Sequence, residues 1–256
     1  DLSVGGVIGG TIPGIPTIIA GRSPHIGWGI SASYADDQDL YAEEISESDD
    51  DMYRSLDGWK KFRTEETIIR IKGELSKKVK LRWSENGPVL DKSTSQISDI
   101  TPPNHQMALS WNMLSPKDTS MSALINLLYS KDLTTALKSL EKHVAPSLNY
   151  TIIDKENIAL QLAGKLPKRN KDHNTQGRLP SFGYIEENRW LGFNSYDSNP
   201  RFINPKNGLI ANTNNKISEK FFPNHISYDW GDSQRIERLT RLLGSRKVHT
   251  RESFIE

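Results

Sequence analysis

Asp36, Asp37 and Asp39 fall within four positions, with Gln38 between them. Carboxylates this close repel one another unless water solvates them or a cation shares them. A second polar concentration, Asn212, Asn214 and Asn215, follows the apolar pair Leu209-Ile210. After a strand, asparagines serve turns, because their side chains bond the nearby backbone and tolerate left-handed conformations. The other reactive side chains form no constellation. Histidines stand at 25, 105, 143, 173, 225 and 249 without H-E-x-x-H or any other metal spacing. Ser23, in Gly21-Arg22-Ser23-Pro24-His25, lacks the closing glycine of a nucleophile elbow, which argues against that type of serine hydrolase. There is no Gly-Lys-Ser/Thr phosphate loop and no cysteine, so thiol chemistry and disulfides are excluded. Asn149-Tyr150-Thr151 matches a glycosylation sequon but falls in a predicted strand, where it is expected to go unused.

The elements that must position these residues are mostly strands. The chain has 256 residues, enough for one large domain or two small ones. Its 33 basic and 32 acidic residues nearly cancel, which argues against nucleic acid or an anionic membrane as partner. No apolar run is long enough to span a bilayer. A hydrophobic fraction of 35% is low and predicts many polar loops. Strands are expected over Ile15–Ala20, Ile26–Tyr34 and Asp39–Ile45, punctuated by Gly14, Gly21, Gly27 and Gly29. On pattern alone this stretch is a meander of buried strands. Ser46–Asp51 is a solvated acidic loop and Asp57-Gly58 a turn. Phe62–Lys72 and Lys77–Trp83 alternate as a half-exposed hairpin hinged at Lys72-Gly73-Glu74.

Ser93–Asn104, with Pro102-Pro103, reads as a loop, and Met107–Trp111 as a short buried strand. The period then changes. Met121, Leu124, Ile125 and Leu128 mark one helix face. Asp132 caps a second helix with Leu133, Ala136, Leu137, Leu140 and Val144 on its apolar side, ended by Pro146. The short connection makes the two a helical hairpin lying on a sheet. Ser147–Ile153 and Asn157–Ala163 form a β-hairpin. Lys165–Lys171 is basic but lacks aromatic residues, so a solvated loop is expected there. Asp232 caps a last helix with Ile236, Leu239 and Leu243 on one face and Gly244 at its end. Strands with helices inserted in pairs make the fold class α+β, antiparallel sheets layered with helices.

One stretch carries a resemblance. Pro13-Gly14, Gly21, Ile26-Gly27-Trp28-Gly29, Ser31-Ala32, Asp36 through Asp39 and Leu40-Tyr41-Ala42-Glu43 together resemble the penicillin acylase family. These are N-terminal nucleophile hydrolases that include penicillin and acyl-homoserine-lactone acylases. The resemblance continues to the last residue. The family usually has His where Asn86 precedes Gly87-Pro88. It implies an αββα fold, two antiparallel sheets between helical layers, and cleavage of an amide by the first residue of a processed chain, whose α-amino group is the base. Asp1 has no hydroxyl for that task, so the nucleophile is expected upstream of it. Asp1 in place of Met, and a helix start over Thr250–Glu256, fit an internal fragment of the nucleophile-bearing chain, the central part of one domain.

The resemblance also implies site residues. The backbone N–H of Ala32 and the side chain of Asn214 would form the oxyanion hole, with Arg235 tuning the nucleophile's surroundings. Ala20, Tyr34 and Leu148 would line the acyl pocket; where some members carry an aromatic residue, Ala20 leaves room for a larger acyl group. Asp36, Gln38 and Asp39, with Gly177 and Asn224, would hold a structural Ca²⁺, with at least one ligand outside the chain. The implied partners are a small-molecule N-acyl amide and the remaining segments of the chain's own precursor, in a periplasmic or secreted protein. Against this stand plainer roles: the aspartates as surface charge, Arg235 as a solvated helix arginine, the pocket residues as core, and the whole as a non-catalytic relative that keeps the fold.

Overall fold

The computed structural model describes residues 5–93, 96–218 and 222–255. Asp1 and Glu256, which bear on the upstream nucleophile and on the last helix start, lie outside the described residues. The chain divides into two compact units, residues 1–35, 116–166 and 194–256 in one, and 36–115 and 167–193 in the other.

The first unit is built on a six-stranded sheet. Its strands run in the order Ile8–Gly10, Ala20–Arg22, Gly27–Ala32, Leu148–Ile153, Ile158–Ala163 and Arg201–Ile203, each antiparallel to its neighbour. Gly9 and Gly21 oppose each other so closely that a Cβ on Gly9 would sit 2.2 Å from the Ala20 carbonyl oxygen, and only glycine fits. Alternation along the strands sorts the side chains onto two faces. Trp28, Tyr150, Ile152, Ala159 and Ala163 pack against the helices Ser120–Leu128 and Leu133–Leu140. Leu160 and Leu162 point the other way and pack with Leu166, Ile217 and Ile226. Full burial of a side chain such as Leu127, Leu140 or Ile152 contributes about 1.5–3 kcal/mol.

The second helix starts as expected. The Asp132 carboxylate accepts from the Thr135 N–H at 2.8 Å, and Thr135 bonds back to the Asp132 N–H, a complete capping box. Asp154 accepts from the Leu133 N–H with one oxygen and from the Glu156 and Asn157 N–H groups with the other, so the β-hairpin turn also braces the helix start. Asn149 of the sequon is buried in its strand.

The second unit centres on Gln38–Glu44, flanked by antiparallel His105–Trp111 and parallel Ser181–Phe182. Tyr41, Ala42, Met107 and Ala108 are buried there. Tyr53 and Phe62 stack at 4.6 Å beside the hairpin Met52–Ser55 and Gly58–Lys61, whose turn takes the positive φ of Gly58. Pro167–Arg169 pairs with Trp190–Phe193.

Several expectations are corrected. Ile15–Ala20 is not a strand, because Pro13 and Pro16 carry no N–H for a ladder and the Ile15 and Thr17 N–H groups close tight turns instead; only Ala20 joins the sheet. Arg63–Ile69 is exposed on both faces rather than half-exposed. A short helix, Ile97–Ile100, interrupts the expected loop. The face of the first helix is rotated: Ser120, Ala123, Leu124 and Leu127 are buried, while Met121 and Ile125 are exposed. The second helix stops at Leu140, and Val144 is buried beyond it. The last helix, Gln234–Gly244, is preceded by Ser233 rather than capped by Asp232; Ile236, Leu239 and Leu243 are its least exposed residues, yet none of its residues is fully buried. Beyond it, Glu252–Phe254 form a single 3₁₀ turn.

Candidate functional site

Ala32 ends the strand Gly27–Ala32, directly across from Leu148. The side chain of Asn214 reaches this strand end, its Nδ2 donating to the Ala32 carbonyl at 3.0 Å. On the other side Arg235, in the first turn of the helix Gln234–Gly244, donates from Nη2 to Asn214 Oδ1 at 3.1 Å. A guanidinium can only donate, so the atom facing it must be the amide oxygen, and the amide nitrogen is thereby turned toward Ala32. Asn214 holds a left-handed φ of 65°, which asparagine tolerates.

The neighbouring asparagines are turn residues, as the sequence suggested. Asn212 Oδ1 accepts from the Asn214 N–H at 3.2 Å, and Asn215 Oδ1 from the Thr213 N–H at 3.0 Å. Asn212 does more. Its Oδ1 also accepts a hydrogen bond from the hydroxyl of Ser31, the residue before Ala32. One side-chain oxygen thus ties the turn bearing Asn214 to the strand bearing Ala32. The sequence marks Asn212 as a turn asparagine and Ser31 as part of the family motif, but an asparagine in a turn and a serine in a strand carry no signal of each other.

Of the expected pocket residues, Tyr34 lies close to this cluster. It is 51% exposed and holds a positive φ of 53°, an unusual conformation for a bulky side chain. Gly231 stands against both residues: a Cβ there would lie 3.2 Å from the Asn214 carbonyl oxygen and 3.9 Å from the Tyr34 ring. Leu148 faces Ala32 across the sheet and is partly buried. Ala20 lies on a strand whose Gly21 and Arg22 oppose Trp28 and Gly27, the opposite end from Ala32.

The expected metal ligands divide between the units. Asp36, Gln38, Asp39 and Gly177 belong to the second, Asn224 to the first, where its Nδ2 donates to the Ser198 carbonyl at 3.2 Å. Both oxygens of the Asp39 carboxylate accept hydrogen bonds. Arg169 donates to Oδ1 from Nη2 at 2.8 Å and to Oδ2 from Nε at 3.0 Å; Trp190 Nε1 donates to Oδ2 at 2.6 Å. Arg169 Nη2 also reaches the Asp36 carbonyl at 3.3 Å. The pair is buried, with side chains 6% and 4% exposed. Burial opposes the charge on Arg169, but the hydrogen bonds and charge of Asp39 outweigh it and raise the guanidinium's affinity for its proton. Gly177, at φ 80°, closes the site: a Cβ there would lie 2.6 Å from both Arg169 Nε and Asp39 Oδ1. The groups facing Asp39 are thus N–H donors, and among the described residues no three His, Cys, Asp or Glu side chains converge as a metal site. The solvated loop expected over Lys165–Lys171 is corrected here: its Arg169 lies in a strand and is buried against an aspartate 130 residues away, a separation that local composition does not report.

Comparison with known proteins is consistent along the whole chain. The model of the penicillin amidase family matches residues 3–256. Acyl-homoserine lactone acylase QuiP of Pseudomonas aeruginosa is 25% identical over 252 residues, which cover 96% of this chain and 29% of QuiP. Penicillin G acylase of Escherichia coli is 25% identical over 239 residues, 93% of this chain and 27% of that protein. The chain therefore spans under a third of the length of these curated relatives. The solved structure of a thermostable penicillin G acylase from Alcaligenes faecalis superposes with a TM-score of 0.83 at 24% identity, covering 96% of this chain and 43% of that one. The α+β fold expected from the sequence, antiparallel sheets with helices, is thus the fold observed.

Proposed function

The chain belongs to the penicillin amidase family, and we propose that the protein it forms part of hydrolyses the amide bond of an N-acyl small molecule. An acyl-homoserine lactone and a β-lactam such as penicillin G are the substrate types that its relatives' names suggest. The nucleophile is the first residue of a processed chain, upstream of Asp1, and its hydroxyl attacks the amide carbonyl with its own amine as base. The remaining segments of the precursor complete the site. This chain supplies what receives the charge. As the tetrahedral intermediate forms, negative charge gathers on the former carbonyl oxygen, and donors already in place lower the barrier without reorganising. The Ala32 N–H and the Asn214 amide are those donors. One Asn214 N–H is held by the Ala32 carbonyl, and the other is the one the oxyanion takes.

The observation that carries this reading is the fixing of the Asn214 amide between Arg235 and Ala32. A solvated turn asparagine needs neither contact. Tyr34, half exposed beside Asn214 and held in a costly backbone conformation, would border the acyl group together with Leu148, with Ala20 farther along the same sheet.

The test is Asn214→Ala in the complete, processed enzyme. The oxyanion exists in the transition state and not in the bound substrate, so kcat falls while KM stays nearly constant. Loss of one donor costs roughly a hundredfold to a thousandfold. Chain cleavage is checked on a gel first. Asn215→Ala, which removes only a turn bond, costs much less; Asn212→Ala falls between, because it loosens the turn that carries Asn214. A fully matured Asn214→Ala enzyme with near-normal turnover returns the asparagine run to turn chemistry alone.

A further inference from the structure

Crowded carboxylates need positive charge or water, and the run Asp36 to Asp39 has positive charge of its own. Arg169 meets Asp39 through two parallel hydrogen bonds at 2.8 and 3.0 Å, the fork geometry for which a guanidinium suits a carboxylate better than an ammonium does. Its Nη2 extends to the Asp36 carbonyl, so one side chain bridges a carboxylate and a main-chain oxygen of the same segment. Those are the kinds of oxygen a hard cation takes. Trp190 Nε1 adds a further donor to Asp39 Oδ2. The strand Trp190–Phe193 pairs with Pro167–Arg169, so the two donors to Asp39 arrive on partnered strands. Gly177 approaches with no side chain, in a left-handed conformation that leaves room for the pair and nothing larger.

We propose that the guanidinium of Arg169 is the built-in cation of this site, holding the Asp36–Asp39 segment in place without a metal ion. A bound Ca²⁺ would need an oxygen at about 2.3–2.6 Å. Both Asp39 oxygens already have N–H donors, and an entering cation would have to expel a buried like charge. Arg169 is thus a positioning residue: it fixes the start of the strand Gln38–Glu44 through Asp39. The inference stands on these contacts and does not depend on the amidase activity.

The test uses the complete protein. Metal analysis after gel filtration finds no stoichiometric calcium, and the melting temperature is unchanged by excess EDTA or by millimolar CaCl₂. Calcium that co-purifies in stoichiometric amount, or a melting temperature lowered by EDTA and restored by calcium, overturns the proposal. Arg169→Met leaves Asp39 buried without its counter-charge and lowers the melting temperature by a few degrees. Combining it with Asp39→Asn removes both charges and costs less than the two single changes summed. An Arg169→Met protein as stable as wild type, or additive effects in the cycle, also overturns it. Should Arg169→Met fail to fold, the metal content and chelator response of the wild-type protein still decide.

Discussion

Glu43 has no exposed surface. Its Oε1 accepts from the Ser84 hydroxyl at 2.6 Å and from Asn86 Nδ2 at 2.9 Å, while Oε2 is buried without a hydrogen-bond partner beside Gly183. Burial pushes its pKa upward against those two hydrogen bonds. A histidine in place of Asn86, as the family usually carries, would offer this carboxylate a positive partner; an amide cannot. A carboxyl whose folded pKa is raised contributes stability that is complete below its unfolded value of about 4.3 and is lost as pH rises through the folded pKa. Glu43→Gln keeps the acceptor for Ser84 and Asn86 and removes the charge. The melting temperature should therefore rise by a few degrees at pH 7 to 8, and the difference from wild type should vanish as pH falls toward 4. A gain that is the same at every pH, or a loss at pH 8, would show that Glu43 is not held against its own ionisation.

At the scale of elements, the helix Leu133–Leu140 rests on its first turn, where Asp132 and Asp154 satisfy N–H groups that the helix cannot. The Thr135 N–H bond, followed by its hydroxyl, lowers the pKa of Asp132, so the cap's stabilisation is present above the unfolded pKa and is lost as pH falls through the folded one. Asp132→Ala should lower the melting temperature by roughly 2–4 °C at pH 7. Asp132→Asn should restore most of it, and the gap between wild type and the alanine variant should narrow in acid. An acid-independent gap would assign the loss to something other than the carboxylate. This cap was legible in the sequence because capping is local: one acidic residue before an apolar period of 3.6. The rotation of the preceding helix was not. Met121 and Ile125 promised burial, but Ser120 is buried instead, its hydroxyl accepting from the Val144 and Ala145 N–H groups, and Ala123 lets the helix approach closely. Hydrophobicity ranks side chains by what they gain from burial and cannot see that a small polar one is needed to close a loop. The same limit hid Arg169 and Asn212, whose partners lie 130 and 181 residues away. Asn214 and Arg235 were legible only through the family motif, since nothing local distinguishes an amide that anchors a strand end from one that turns a chain.

Over the whole molecule the donors and the hydroxyls tell different stories. The strand that ends at Ala32 carries Ser31, and Ser33 follows at once, so hydroxyls do lie beside the proposed oxyanion donors. Neither is placed to attack. Ser31 gives its hydrogen to the Asn212 amide oxygen, and Ser33 gives its own to the Ser147 carbonyl at 2.8 Å. Amide and carbonyl oxygens accept hydrogen bonds but are too weak as bases to take the proton, so neither serine is activated. There is no cysteine to take the role instead. With the nucleophile proposed to lie outside them, these 256 residues should bind charge developing on an oxygen without creating it. Expressed alone, and shown to be folded by circular dichroism with a cooperative thermal transition, the chain should leave a chromogenic phenylacetyl or long-chain acyl amide uncleaved above the buffer rate. The complete, processed protein should cleave one of the two at the same concentration, and Ser31→Ala in that protein should lower the rate without abolishing it, because the serine orients Asn212 and is not consumed. Turnover by the isolated chain, or complete loss of activity with Ser31→Ala in a correctly matured enzyme, would move the nucleophile into this chain and make Ser31 the first residue to test.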